Sequence, residues 1–127
     1  MAARTELYLR LPNSPGALDR VCRVLADARV NIVALTVEAA GTLRMVVDNP
    51  LRAAGALEEA DYRAEQRDVL VVELPNRPGA LADLAKLLAG TGVNVEHAYA
   101  TAVEGQPTAQ VVVGVEDARR VATATGI

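Results

Sequence analysis

One octet occurs twice in this chain. Leu11–Leu18 reads L-P-N-S-P-G-A-L and Leu74–Leu81 reads L-P-N-R-P-G-A-L. A shift of 63 residues superposes them, and the match runs on to Val30-Asn31-Ile32 against Val93-Asn94-Val95. From Leu11 to Ile32, 11 of 22 positions are identical. Self-similarity at this period means one supersecondary unit used twice. About 60 residues make only a marginal core, so the 127-residue chain should hold two half-size units packed together.

The octet has the chemistry of a helix entry. Pro15 and Pro78 suit a first helical position, where the missing N–H is not needed. The following glycines, lacking Cβ, let another group approach the backbone. Leu18, Val21, Cys22 and Leu25, and in the second copy Leu81, Leu84, Ala85 and Leu88, then recur at helical spacing. A short apolar run lies upstream, so each copy reads strand, loop, helix. The first amides of such a helix, at Gly16, Ala17 and Leu18 and at Gly79, Ala80 and Leu81, have no partners within it. With the positive end of the helix dipole they make a site for a carboxylate or a phosphate.

Composition narrows the rest. The chain is 51% hydrophobic yet has no Phe or Trp, so its core is aliphatic, as suits sheets covered by helices. Net charge is −3, with 9 basic and 9 acidic residues in 1–67 and 4 against 7 in 68–127. Without a basic stripe or aromatic platform, nucleic acid is not an expected partner. A lone cysteine rules out an internal disulfide, and a lone histidine rules out a metal cluster built on imidazoles. No signal peptide and no apolar run near the ~20 residues of a membrane span are visible. A cytoplasmic, soluble protein without membrane contact, cofactor or metal is the expectation.

Taken in order, Glu6 to Leu11 reads as a strand, Pro15 to Ala28 as a helix and Val30 to Val37 as a strand. Ile32, Leu35 and Val37 can share one face of that strand only through a bulge. Ala39 to Gly41 turns the chain into a strand from Thr42 to Val47. Pro50 near N1, with Asp48 or Asn49 as cap, opens a helix over about Leu51 to Glu59, with Leu51, Ala54 and Leu57 on one side. Tyr62 to Gln66 completes βαββαβ. The second copy follows with strand Val69–Leu74, helix Pro78–Ala89 closed by Gly90 or Gly92, strands Val93–Thr101 and Thr108–Val113, and helix Glu116–Ala124. It has no fourth strand, so Val69–Leu74 should present an open edge and favour at least a homodimer.

Other residues carry less. Cys22 sits where the second copy has Ala85 and reads as a small core residue. If Ala98 and Ala100 point inward, His97 and Tyr99 share the other face, as a solvent-facing pair or as one edge of a ligand pocket. Asn13 and Asn76 can tie their own turns or orient a ligand; Asn31 and Asn94 can equally serve a turn. Gly90-Thr91-Gly92 lacks the context of a dinucleotide fingerprint. No nucleophile–base pair appears, so no catalysis is expected.

The paired L-P-N-x-P-G-A-L octets, each followed by V-N-[IV], resemble tandem ACT domains, the small ligand-binding module of amino-acid metabolism. The resemblance covers nearly the whole chain, with ACT domains expected at 1–67 and 68–127. It implies an α+β fold: two ferredoxin-like βαββαβ units side by side, antiparallel sheets with helices on one face. It also implies an amino-acid-binding regulatory protein, or alternatively a regulatory subunit acting mainly by contact with a biosynthetic enzyme. The implied ligand residues are Asn13, Gly16, Ala17, Leu18 and Asn31 in one copy, and Asn76, Gly79, Ala80, Leu81 and Asn94 in the other. Arg77 stands where Ser14 does, at a position the family more often fills with arginine. The second loop is therefore expected to bind more tightly.

Overall fold

The computed structural model describes residues 2–126. Ten elements follow in the order β1 (Ala2–Arg10), α1 (Ala17–Asp27), β2 (Ile32–Val37), β3 (Thr42–Val47), α2 (Pro50–Glu59), β4 (Glu65–Pro75), α3 (Ala80–Gly90), β5 (Val95–Ala100), β6 (Thr108–Val115) and α4 (Ala118–Thr125). The chain divides into two compact units. One is Thr5–Arg67; the other runs from Asp68 onward and takes in the start of β1, up to Arg4.

In the first unit the strand order is β2-β3-β1-β4, with β3 antiparallel to both β2 and β1. Leu7 and Leu9, opposite Met45 and Leu43, put their side chains on one face. There they meet Val21 and Leu25 of α1 and Ala53 and Leu57 of α2 in one fully or nearly buried cluster, so both helices cover the same face. Each wholly buried leucine of this kind contributes roughly 2 kcal/mol. The bulge that the strand phase demands is present: register shifts between Ile32 and Ala34, after which Leu35 and Val37 face Met45 and Leu43. Asn49 caps α2, its side chain accepting from the Arg52 amide at 3.0 Å, with Pro50 in the first turn. Leu51, by contrast, is 84% exposed. Ala53 and Leu57, four residues apart, form the buried stripe instead, and Leu51 lies off it.

The second unit repeats the plan. Its order is β1-β4-β6-β5, with β6 antiparallel to β4 and β5. Leu70 and Val72 of β4, Val111, Val113 and Val115 of β6, Leu84 and Leu88 of α3 and Val121 of α4 form its core. A register shift between Val95 and His97 reproduces the bulge of β2.

Two expectations change here. Tyr62–Gln66 and Val69–Leu74 are not separate strands, because β4 runs unbroken from Glu65 to Pro75. The open edge at Val69–Leu74 is also absent, since β4 lies between β1 and β6. No strand follows α4 among the described residues, but the chain's own start supplies the missing neighbour. β1 begins at Ala2, four residues before the alternating apolar pattern that marks it in the sequence, and the first three of them, Ala2–Arg4, belong to the second unit. No described helix is long and apolar enough to cross a membrane.

Candidate ligand-binding loops

Each octet bridges a strand and a helix, but the helix starts later than proline at its first position would give. Gly16 and Gly79 are the N-caps, both left-handed, with φ of +82° and +88°. That conformation is costly for residues with a Cβ, so the glycine is there for its backbone angle. Upstream, the Ser14 amide turns back to the Pro12 carbonyl at 2.8 Å, and the Arg77 amide to Pro75 at 3.0 Å. These tight turns place the prolines outside the helices.

The amides expected to be open are partly used. Ala17 N–H donates to the Ser14 carbonyl and Ala80 N–H to the Arg77 carbonyl, each at 3.3 Å. Those of Gly16, Leu18, Gly79 and Leu81 have no partner among the described hydrogen bonds outside the helices. The motif leucines are also displaced from the cores: Leu18 is 38% and Leu81 60% exposed, while Ala17 and Ala80 are buried in their place.

The four asparagines separate. Asn76 donates through Nδ2 to the carbonyls of Val103 at 3.0 Å and Gln106 at 2.9 Å. It thereby ties its loop to the β5–β6 turn, and its Oδ1 has no partner among the described residues. Asn13 makes no hydrogen bond of this kind and is exposed. Asn31 is tied through its backbone to Asp48, donating to Oδ1 at 3.0 Å and accepting from the Asp48 amide at 3.0 Å. Asn94 is exposed just before β5. Asn31 and Asn94 thus lie at the far end of α1 and α3 in sequence, after the helices that the octets open.

The charge on the loops differs from what the octets suggest. Arg77 donates to the Pro78 carbonyl at 3.1 Å and pairs with Asp83 at 3.4 Å. Asp83 is the counterpart of Arg20, and Arg20 reaches back over Gly16, its Nη2 3.4 Å from Ser14 Oγ. A side chain placed on Gly16 would meet Arg20 at 3.3 Å; one on Gly79 would meet Arg77 at 3.7 Å. Both helix starts therefore carry a guanidinium, one from the helix and one from the loop. Arg77 is paired with a carboxylate in an exposed contact, whereas Arg20 leans on a hydroxyl. A cation therefore stands at both loops and not at the second alone. Sequence alignment of the copies pairs Ser14 with Arg77 and Arg20 with Asp83, and reading those two columns together is the signal that reveals the exchange.

Beside the second loop lies a cleft of about 220 Å³, walled by Val72, Leu74, Leu84 and Leu87 with Arg77 and Asp83 among its polar residues. Cys22, on α1, is a free thiol of intermediate exposure. His97 and Tyr99 do share a face, because Ala98 and Ala100 oppose the core residues Val113 and Val111. Their rings stack at 6.2 Å between centroids and 12° between planes. Among the described residues no group of three His, Cys, Asp or Glu could hold a metal ion.

A profile of the ACT domain pair matches residues 3–121. The chain belongs to that family. Among solved structures, a protein from Bacteroides thetaiotaomicron is similar at 30% identity, with 98% of this chain and 89% of that one covered and a TM-score of 0.86. The regulatory subunit of aspartate kinase from Thermus flavus shares the fold at 19% identity, with 98% and 94% covered and a TM-score of 0.66. Escherichia coli aspartokinase III in complex with lysine and aspartate shares it at 18% identity, over 98% of this chain and 31% of that one, with a TM-score of 0.61. A search of curated proteins found no match.

Proposed function

We propose that this ACT domain pair is a regulatory protein of amino-acid metabolism that binds an amino acid at the loops before α1 and α3 and performs no catalysis itself. The observation that carries this reading is the recurrence, in both copies, of a left-handed glycine at a helix start with a guanidinium drawn over it. An α-carboxylate fits such a start, taking the amides of Gly16 and Leu18, or of Gly79 and Leu81, together with the arginine. Asn13 and Asn76 would orient it, Asn76 through its open Oδ1. The likeness in fold to the aspartate kinase regulatory subunit supports the regulatory role, and the lysine and aspartate in the aspartokinase III structure make those two the first ligands to try. Titration calorimetry with the twenty amino acids tests the reading: saturable binding of at least one is expected. No heat from any of them at millimolar concentration would overturn it.

Contact with a biosynthetic enzyme is the second reading, favoured by the exposed Leu18 and Leu81 beside the loops. Co-purification that survives Leu18→Ser and Leu81→Ser together would count against that surface. A homodimer, no longer motivated by β4, would run through β2, whose Val33, Leu35 and Val37 are 37%, 41% and 45% exposed at the end of its strand order. Light scattering on the wild type and on Leu35→Arg tests it.

A further inference from the structure

The first unit holds a cavity of about 500 Å³ where the end of β1 and Pro12, at the start of the first octet, lie near the α2–β4 connection; Gly16, Ala17 and Leu18 are not in its lining. Its floor is fixed. Arg44 donates to Glu38 at 2.9 Å and to the wholly buried Glu6 at 3.5 Å, and its guanidinium stands 5.4 Å over the Tyr8 ring. Burial works against the charge on Arg44, but hydrogen bonds and charge from Glu38 and Glu6 outweigh it and raise its pKa. Tyr8 Oη donates to Glu65, which raises the tyrosine pKa, with burial adding to the effect. Arg44 is therefore committed to Glu38 and Glu6, and Glu65 to the Tyr8 hydroxyl.

Two other cations in the wall are not. Arg63 makes no hydrogen bond or ion pair among the described residues, and Arg10 has only the Ala40 carbonyl, at 3.0 Å. Asp61 is the one uncommitted carboxylate beside them. Leu9, Pro12 and Tyr62 are the apolar members of the lining, with Leu9 buried in the core and Tyr62 packed against that core.

The duplication supplies an internal control. Strand pairing aligns Tyr8, Arg10 and Arg44 with Val71, Glu73 and Val112. The fold is the same in the second copy, so it does not need these residues. Two of the chain's three tyrosines and three of its arginines nevertheless line this one cavity.

We infer that this cavity binds a small organic carboxylate with a flat apolar body, Arg10 and Arg63 holding the carboxylate and Tyr62 and Pro12 covering the body. The volume is within the range of small-molecule sites, and Asp61 disfavours dianions. The inference does not rest on the loop reading. A ligand at the loops shifts the amides of Gly16 and Leu18, whereas one in this cavity shifts the rings of Tyr8 and Tyr62, so the two can fail separately.

The experiment is an NMR titration followed on the three tyrosine rings, with benzoate as probe and acetate and benzamide as its charge-only and body-only controls. Saturable shifts at Tyr8 and Tyr62, with Tyr99 unmoved, are expected for benzoate, with at least several-fold weaker effects for the controls. Arg10→Gln and Arg63→Gln, both on exposed residues, should each weaken benzoate several-fold and together more than tenfold. Arg52→Gln, outside the cavity, should change nothing. Absence of saturable shifts at millimolar benzoate overturns the inference. So does benzamide or acetate binding as tightly as benzoate, or benzoate binding that ignores both arginine changes.

Discussion

The two copies agree on the face the helices cover and differ elsewhere in compensating pairs. Leu7, Leu9, Val21 and Leu25 of one core stand where Leu70, Val72, Leu84 and Leu88 stand in the other, apolar in every case. On the opposite face the substitutions come two at a time. Glu6 and Arg44 of the first copy are Val69 and Val112 in the second, with Glu6, Val69 and Val112 all buried. Ala34 opposite Val46 becomes His97 opposite Gly114. Ser14 and Arg20 at one helix start become Arg77 and Asp83 at the other. One backbone thus tolerates an ionic or an apolar pair, a small–large or a large–small pair, provided both members change together. Each copy then predicts how the other responds to mutation.

The largest effect should come from the ionic pair. Arg44→Val takes one cation away from the buried Glu6 carboxylate, and breaking such a pair costs up to about 3–5 kcal/mol. Adding Glu6→Val recreates what the second copy already carries, and replacing a buried pair by apolar residues is often neutral or stabilising. Urea denaturation of the wild type, Arg44→Val and the double variant should therefore show a deep loss and then recovery. Equal losses in single and double variants would mean the apolar arrangement cannot be transplanted.

Next comes the size exchange. Gly114 is not left-handed; it is glycine because the imidazole of His97 lies against it, and a Cβ there would overlap the ring. Gly114→Val should cost about 1–3 kcal/mol through overpacking, less whatever the ring recovers by swinging away and losing its stack on Tyr99. His97→Ala in the same chain restores the Ala34–Val46 arrangement and should return most of the loss. If Gly114→Val alone leaves the melting temperature unchanged, the ring moves freely and the pair is not coupled.

The loop exchange should appear in binding rather than stability. With Arg77 paired to Asp83 and Arg20 resting on a hydroxyl, Arg20→Gln should weaken amino-acid binding about tenfold or more, the order of one charge-assisted hydrogen bond. Arg77→Gln should do less, and Asp83→Asn, by freeing Arg77, should strengthen the second loop. Calorimetric titration of the three variants checks the ranking. If Arg77→Gln has the larger effect, the local charge balance does not decide between the loops.

What was legible in the sequence followed from periodicity and repetition. The awkward phase of Ile32, Leu35 and Val37 demanded a bulge, and the bulge is there; the alternation of Ala98 and Ala100 placed His97 with Tyr99. What was not legible depended on chemistry that a pattern does not carry. Proline before glycine looks like a first helical turn, yet the left-handed glycine sets the boundary. Leu51 looks like core beside Ala54 and Leu57, but Ala53 matches the stripe better and wins the position. Ala2–Arg4 have no alternating apolar pattern to mark them as a strand, so the missing neighbour of β4 stayed hidden. The Tyr8, Arg10, Arg44 and Arg63 constellation is spread across β1, β3 and the approach to β4, and only folding brings it to one cavity.

The smallest effect compares two helix exits. Gly92 follows α3 with φ of +76°, and its counterpart after α1 is Arg29, with φ of +59°. A left-handed residue with a Cβ carries roughly 1–2 kcal/mol of strain. Arg29→Gly removes that strain but adds about 0.5–1 kcal/mol of unfolded-chain entropy, so a net gain near 0.5 kcal/mol is expected. The reverse change, Gly92→Arg, should cost about that much. Melting curves of the two single variants, run side by side, read both numbers. Destabilisation by Arg29→Gly of more than about 1 kcal/mol would show that the arginine side chain, rather than its backbone angle, holds this end of α1.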